Sequence, residues 1–125
     1  MIGGQRIAVV IPAHDEQERI GATLATLPDD VDDIVVVDDG SADRTGAIVR
    51  ASRDARVRLL VHARNRGVGA AIATGYRAAF ERGADVAVVM GADGQMDPGE
   101  LVRLASPVVR GEADYAKGDR LAHRE

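Results

Sequence analysis

Hydrophobic residues along the chain fall into four short runs that are separated by longer polar segments. The second run, residues 34–37, is four consecutive β-branched side chains without polar alternation, as expected of a strand buried on both faces. It is followed at once by Asp38, Asp39, Gly40 and Ser41. The other runs predict strands at residues 6–12, 57–61 and 85–90, and Pro12 is expected to stop the first of them.

The segment after the first strand has helical spacing. Asp15 and Glu18 are placed as the N-cap and N3 partner of a capping box. One face of the helix is expected to be apolar, and Pro28 is expected to end the helix. That face consists of Ile20, Leu24 and Leu27.

Two more helices are predicted between the later strands. The second runs over about residues 42–53, with Ser41 as its N-cap and Ile48 and Val49 facing inward. The third follows the loop ending at Gly67, continues to about residue 82 and has Gly83 as its C-cap. Small side chains give it a face that can lie close to a sheet. They are Gly67, Ala70, Ala71, Thr74 and Ala78.

Beyond the fourth strand, Asp97, Pro98 and Glu100 form a second capping signature, which predicts a fourth helix. A weak fifth strand is predicted at residues 113–117. Strands that alternate with helices in this way indicate an α/β fold. We expect a Rossmann-like, mostly parallel sheet with helices on both faces, forming a single domain over residues 1–125.

Composition narrows the possible functions. The chain has 125 residues, 46% of them hydrophobic, with a net charge of -4 and 2% aromatic residues, which argues against a nucleic-acid partner. It contains no cysteine, so disulfides and thiolate chemistry are excluded. With no apolar run long enough to span a membrane and no signal-peptide pattern, the sequence predicts a cytoplasmic chain.

Polar residues concentrate where the predicted strands end. Parallel topology places the segments 12–16, 38–41, 62–69 and 91–95 at one edge of the sheet, where open α/β sheets bind ligands. Two adjacent aspartates at this position favour a polar ligand. The alternative is that Asp38 and Asp39 only shape the turn.

Asp93 and Gln95 are the candidates for metal binding. If this loop begins extended, the two side chains point the same way, and their oxygens suit a divalent cation, Mg²⁺ or Mn²⁺. Such an ion could neutralise a diphosphate leaving group. The alternative for Asp93 is a turn aspartate, and Asp97 is better explained as a helix cap.

Gly67 and Gly69 do not complete a dinucleotide-binding motif, because position 72 is Ile72. They are better interpreted as a helix N-terminus that backbone and ligand can approach closely, with Asn65 and Arg66 nearby. His14 is expected to be solvent-facing or stacking, and His62 to be structural.

Four motifs occur in the order and spacing of family 2 glycosyltransferases. The chain resembles the branch that contains dolichyl-phosphate mannose synthase and bacterial polyprenyl-phosphate sugar transferases. The motifs are residues 11–16 (Ile-Pro-Ala-His-Asp-Glu), 37–41 (Val-Asp-Asp-Gly-Ser), 65–71 (Asn-Arg-Gly-Val-Gly-Ala-Ala) and 92–98 (Ala-Asp-Gly-Gln-Met-Asp-Pro).

This resemblance implies a GT-A fold, a nucleotide-sugar donor and transfer with inversion to an acceptor such as a polyprenyl phosphate or a glycan. It places the chain in the cytoplasm, at the inner face of the membrane where the acceptor is a polyprenyl phosphate. The implied donor-binding residues are Pro12, Ala13, Glu16, Asp38, Asp39, Gly67, Gly69, Ala92 and Asp93. Asp39 would contact the base with Asp38 supporting it, and Asp93 and Gln95 would hold the divalent cation.

The chain departs from the family pattern in three respects. Gly91 stands where the metal motif often has its first aspartate, and Val68 stands where a basic residue is common. The family's acceptor half would follow residue 125, so we expect a domain truncated at its C-terminus, and no catalytic base is identified. Apolar surface left where that half would dock is expected to favour a homo-oligomer.

Two alternatives remain open. One is a truncated, non-catalytic paralogue that binds nucleotide or a partner only. The other is a nucleotidyltransferase, which shares the sheet topology and a metal aspartate. The acidic segment at residues 12–16 counts against the second, because such enzymes carry a glycine-rich, basic loop after the first strand.

Overall fold

A computed structural model describes residues 1–92 of the chain. Within them, four parallel strands form one sheet in the order β3-β2-β1-β4. The strands are β1 (Ile7–Ala13), β2 (Asp33–Asp39), β3 (Val57–His62) and β4 (Val86–Val89). The helices between them are α1 (Ile20–Ala25), α2 (Thr45–Arg50) and α3 (Val68–Glu81). The predicted α/β architecture is confirmed.

The two central strands are buried on both faces. Every residue of β2 is buried, as its unbroken β-branched run predicted. β1 pairs with β2 on one side and β4 on the other, so that Val9 lies beside Ile34 and Val88. Side chains that alternate along these strands therefore enter two separate hydrophobic clusters.

The helices cover opposite faces of the sheet. Ile20 and Leu24 of α1 and Val49 of α2 pack in one cluster with Ile7, Val9 and Ile11. Ala71, Ala78 and Ala79 of α3 pack in the other, with Ala8 and Val10. The apolar face predicted for α1 is confirmed. The small-residue face of α3 is confirmed at Ala71 and Ala78, but Gly67 is exposed at the start of the helix and does not pack on the sheet. α3 lies close to the sheet because its inward residues are small.

Two predicted helix starts are wrong. Neither α1 nor α2 has a side-chain cap at its N-terminus, and the helices begin at Ile20 and Thr45. Asp15 does not cap α1, because its Oδ1 accepts a hydrogen bond from the N–H of Ala42 at 2.8 Å. Ser41 does not cap α2, because its Oγ accepts from the N–H of Asp15 at 2.9 Å. Both residues instead join neighbouring loops.

Pro12 does not stop β1. The strand continues to Ala13, and Pro12 pairs in register with Val37 of β2. The carbonyl of Val10 accepts from the N–H of Met90, so even-numbered positions of β1 face the β4 side. β4 pairs only as far as Val10, so the missing N–H of Pro12 faces a side where no described strand pairs with it.

The end of α3 agrees with its sequence signal. Gly83 has a φ of 96°, and its N–H donates to the carbonyl of Phe80. The N–H of Ala84 donates to the carbonyl of Ala79, which completes a Schellman motif.

The fourth helix and the fifth strand lie outside the described residues. In residues 1–92, no helix is long and apolar enough to cross a bilayer.

The strand order creates a switch point. From β1 the chain moves outward to β2 and then β3, whereas β4 returns to the other side of β1. At such a point the loops leaving neighbouring strands diverge and open a crevice at the carboxyl ends. The loop after β1 therefore lies beside the start of the loop after β4.

Candidate functional site

A cleft of about 310 Å³ opens at the carboxyl edge of the sheet, between the loop after β1 and the N-terminus of α3. Its lining residues are Pro12, Ala13, His14, Glu16, Asp39, Asn65, Gly67, Val68 and Ala71. Five of the donor-binding residues implied by the sequence motifs are thus brought together from three separate segments of the chain, at the ends of β1 and β2 and before α3. Asp38, Gly69 and Ala92 do not line this cleft.

The Asp39 carboxylate accepts three hydrogen bonds at the floor of the cleft. Its Oδ1 accepts hydrogen bonds from the N–H of Arg66 at 2.9 Å and from His62 Nδ1 at 2.7 Å, and its Oδ2 accepts from the N–H of Gly67 at 2.8 Å. Burial opposes ionisation of the Asp39 carboxyl, but these donors outweigh it and hold its pKa below the ordinary value. Asp39 is therefore a buried carboxylate that shapes the loop before α3.

Asp38 faces away from the cleft, under the turn that leaves β2. Its Oδ1 accepts from the N–H of Ser41 at 3.0 Å. Its Oδ2 lies so near Gly46 of α2 that a Cβ there would be 2.9 Å away. Because side chains alternate along β2, Asp38 points to the turn and Asp39 points to the cleft.

Gly40 allows the turn after β2 to meet the loop before α3. Its φ is 72°, and a Cβ at this position would overlap the main chain of Arg64 and Asn65. A glycine is therefore required for two reasons, the left-handed backbone and the close approach.

The loop after β1 is fastened to the loop after β2. Asp15 has a φ of 53°, which is unusual for a residue other than glycine. Its N–H donates a hydrogen bond to Ser41 Oγ, and its carboxylate accepts one from the N–H of Ala42. The N–H of Glu16 donates to Thr45 Oγ1 at 2.8 Å. These contacts hold the Glu16 side chain at the cleft, with Arg19 3.7 Å from its carboxylate.

His14 and Asn65 cover the cleft from opposite loops. His14 Nδ1 lies 2.9 Å from the carbonyl oxygen of Asp39, so this nitrogen carries the hydrogen. The Asn65 amide nitrogen lies 3.3 Å from His14 Nε2, and its Oδ1 accepts from the N–H of Gly67. His14 is half-exposed, as its predicted solvent-facing position requires.

The N-terminus of α3 presents open space to the cleft. Gly67 has a φ of 100°, and a Cβ on Gly67 or Gly69 would have no heavy atom within 4 Å. The first N–H groups of a helix have no partner inside the helix and point outward along its axis. These two glycines are thus not required by packing, and they leave room for a ligand near those N–H groups.

Neither Val68 nor Ala71 was assigned to the site from sequence, although both line it. Val68 is an exposed apolar side chain. Its position in the helical repeat lies outside the face that packs on the sheet, so the spacing gives it no role. Ala71 is buried against the sheet and belongs to the small-residue face of α3. Only the position of the helix start relative to the loop after β1 brings them to the cleft.

Ala92 belongs to the core, where its carbonyl accepts a hydrogen bond from Thr23 Oγ1 at 2.9 Å. The candidate metal ligands Asp93 and Gln95 lie outside the described residues. Up to Ala92, the structure contains no group of three or more His, Asp or Glu side chains arranged to hold a metal ion.

This sheet is that of a known class of proteins. Residues 8–125 match the family described as Glycosyl transferase family 2, and the chain belongs to that family. The fold is that of GT-A glycosyltransferases. The match agrees with the resemblance carried by the four sequence motifs.

Two relatives illustrate the similarity. The chain is 41% identical over 119 residues to the undecaprenyl-phosphate mannosyltransferase of Micrococcus luteus, covering 92% of this chain and 48% of the relative. It is 32% identical over 130 residues to the UDP-N-acetylglucosamine--dolichyl-phosphate N-acetylglucosaminyltransferase of Methanococcus voltae, covering 92% and 52%. The chain therefore spans about half the length of the curated relatives it matches.

Solved structures show the same likeness. Glucosyl-3-phosphoglycerate synthase from Mycobacterium tuberculosis in complex with UDP has a TM-score of 0.70 and 26% identity, over 89% of this chain and 42% of that one. The same enzyme in complex with Mn²⁺ and UDP-glucose has a TM-score of 0.69 and 27% identity, over 87% and 41%. That enzyme thus binds a nucleotide sugar together with Mn²⁺.

Proposed function

We propose that this chain is the donor-binding part of an inverting glycosyltransferase that uses a nucleotide sugar and transfers the sugar to a polyprenyl phosphate. The observation that carries the proposal is the cleft, where residues from three separate segments of the chain meet. They are Pro12, Ala13, Glu16, Asp39 and Gly67. The M. luteus and M. voltae relatives support the acceptor class, because their names specify polyprenyl phosphates.

Each part of the cleft has a distinct role in this proposal. The nucleoside lies against Pro12 and Ala13, with Asp39 accepting a hydrogen bond from the base and Asp38 holding the turn behind it. The diphosphate lies toward the N-terminus of α3, where the main chain of Gly67 and Gly69 is open and outward N–H groups favour negative charge. Glu16 closes the cleft beside the loop after β1.

A divalent cation, Mg²⁺ or Mn²⁺, is proposed on Asp93 and Gln95, with Ala92 in the adjoining main chain. Carboxylate and amide oxygens are the donor types that such hard cations prefer. When bound, the ion neutralises charge on the leaving diphosphate. Gly91 provides no side-chain ligand, so we expect metal affinity below that of a site with two carboxylates.

Calorimetry on the 125-residue chain tests donor binding. UDP and GDP are titrated with and without MnCl₂ into the unmodified chain and into Asp39→Ala, Asp93→Ala and Asp30→Ala. We expect manganese-dependent binding that is lost in the first two variants. Asp30→Ala is the matched control, because this exposed aspartate lies in the loop before β2, at the opposite edge of the sheet. No binding of either nucleotide to folded protein contradicts the proposal.

Transfer is tested separately, with radiolabelled nucleotide sugar and polyprenyl phosphate in detergent. Incorporation of label into lipid supports the enzyme and excludes the non-catalytic alternative. The nucleotidyltransferase alternative receives no support from the family match.

A further inference from the structure

His62 is a buried imidazole with both ring nitrogens engaged. It is the last residue of β3, and its side chain is 7% exposed. Nδ1 lies 2.7 Å from Asp39 Oδ1, and Nε2 lies 2.9 Å from Thr74 Oγ1 on α3. The ring therefore joins a carboxylate at the end of β2 to the helix whose N-terminus borders the cleft.

The two partners determine which nitrogen carries the hydrogen in the neutral ring. An ionised carboxylate only accepts hydrogen bonds, so Nδ1 donates to Asp39. Nε2 then accepts, and the Thr74 hydroxyl is its donor. Thr74 thus stabilises the tautomer that Asp39 requires.

The carboxylate of Asp39 has acceptor capacity left for a ligand. Two carboxylate oxygens offer about four lone-pair positions. Three are used, two on Oδ1 by Arg66 and His62 and one on Oδ2 by Gly67. The remaining position is on Oδ2, and Asp39 lines the cleft.

We propose that His62 is a positioning residue of the nucleotide site, which holds Oδ1 of Asp39 so that Oδ2 presents its remaining acceptor position to an N–H group of the donor's base. This inference rests on the proposed donor-binding function. The N–H groups of Arg66 and Gly67 belong to the loop that leads into α3, whereas the ring stands at the end of β3 and is held from the other side by Thr74. The lowered pKa of Asp39, to which His62 contributes, is consistent with this role.

Two substitutions separate the two contacts of the ring. The amide nitrogen of asparagine lies near the position of histidine Nδ1, so His62→Asn can keep the donor to Asp39 and lose the contact with Thr74. The longer glutamine places its amide near the position of Nε2, so His62→Gln can reach Thr74 and loses the donor to Asp39. Both variants are polar and both lose the ring, which makes them matched for a purely structural effect.

The first test is UDP and GDP affinity by calorimetry, with circular dichroism to confirm folding. We expect His62→Asn to bind within about threefold of the unmodified chain and His62→Gln to lose at least about tenfold, the loss of one charge-assisted hydrogen bond. Equal affinities of the two folded variants overturn the proposal, whether both are weakened or neither is.

The second test does not depend on nucleotide. In nitrogen-15 spectra of the imidazole rings, His62 should show hydrogen on Nδ1, and the Gly67 amide signal should shift more in His62→Gln than in His62→Asn. Hydrogen on Nε2 alone overturns the proposal. If the unmodified chain binds neither UDP nor GDP, the proposed donor-binding function fails, and these spectra still decide whether His62 positions Asp39.

Discussion

Gly75 of α3 lies on Val10 of β1 so closely that a Cβ on the glycine would overlap the valine Cγ1. This contact sets the distance between α3 and the sheet, and with it the position of the helix N-terminus over the cleft. Gly69, one and a half turns earlier on the same helix, has open space where its Cβ would be.

Gly75→Ala should therefore destabilise the protein. Alanine raises helix propensity by about 1 kcal/mol relative to glycine, but overpacking a core costs about 1–3 kcal/mol, so we expect a net loss in urea denaturation. Gly69→Ala is the control, and it should leave stability unchanged or higher while weakening UDP binding. A Gly75→Ala protein more stable than the unmodified chain would show that the helix can move away from Val10.

Asp39→Asn should cost more stability than Asp38→Asn. An asparagine at 39 cannot accept all three of the hydrogen bonds that the carboxylate accepts, and it replaces the others by weaker bonds to a neutral oxygen. Hydrogen bonds to charged groups contribute about 1.5–3 kcal/mol. An asparagine at 38 can keep its oxygen toward the N–H of Ser41. The measurement is the free energy of unfolding in urea, and equal losses would contradict the different roles of the two aspartates.

Gly40→Ala and Gly67→Ala separate backbone strain from steric overlap. Both glycines have positive φ, and such sparsely populated backbone conformations cost a non-glycine residue about 1–3 kcal/mol. Only at Gly40 would the new Cβ also meet the main chain of the loop before α3, within 2.9 Å of Arg64 Cα. Thermal unfolding followed by circular dichroism should show a clearly larger loss for Gly40→Ala, and similar losses would mean that the loop yields to the methyl group.

Stability should fall in acid because of Asp39 and Asp32. Burial opposes ionisation of both carboxyls. Hydrogen bonds outweigh it, from the N–H of Arg66 and other donors to Asp39 and from the N–H of Ile7 and other donors to Asp32, and they hold both pKa values below that of a free aspartate. The unfolded state then binds more protons, so this contribution is complete above about pH 5 and is lost as the pH falls below about 4.

Urea denaturation at pH 7, 5, 4 and 3 measures this dependence. Asp32→Asn should flatten the decline, and Asp30→Asn should leave it unchanged because that side chain is exposed. Constant stability between pH 5 and pH 3 would contradict the assignment.

The strands were predictable because their signal is local. A run such as residues 34–37 can be buried on both faces only in the middle of a sheet that is covered on both sides. The helix faces were predictable for the same reason, since Ile20, Leu24 and Leu27 recur at helical spacing. Gly75 was missed, although it stands four residues after Ala71 and three before Ala78, on the same small-residue face of α3.

The starts of α1 and α2 were not predictable, because long-range partners compete for the same polar groups. Asp15 has the sequence context of an N-cap, but its carboxylate bonds Ala42, 27 residues away, once β1 and β2 are paired. Local capping chemistry loses when the tertiary structure offers the same side chain another N–H group.

Hydrophobic period and chain order were enough to predict the order of strands and helices, the parallel sheet and the edge at which polar loops gather. Local spacing could not show how the fold chooses between the two adjacent aspartates, although the family resemblance implied that Asp39 contacts the base. That choice depends on the N–H groups of Arg66 and Gly67 and on His62, which lie on a different loop and strand and reach Asp39 only after β2 pairs with β3. Hydrogen bonds between distant segments leave no trace in local spacing, so the pairing of the strands had to supply them.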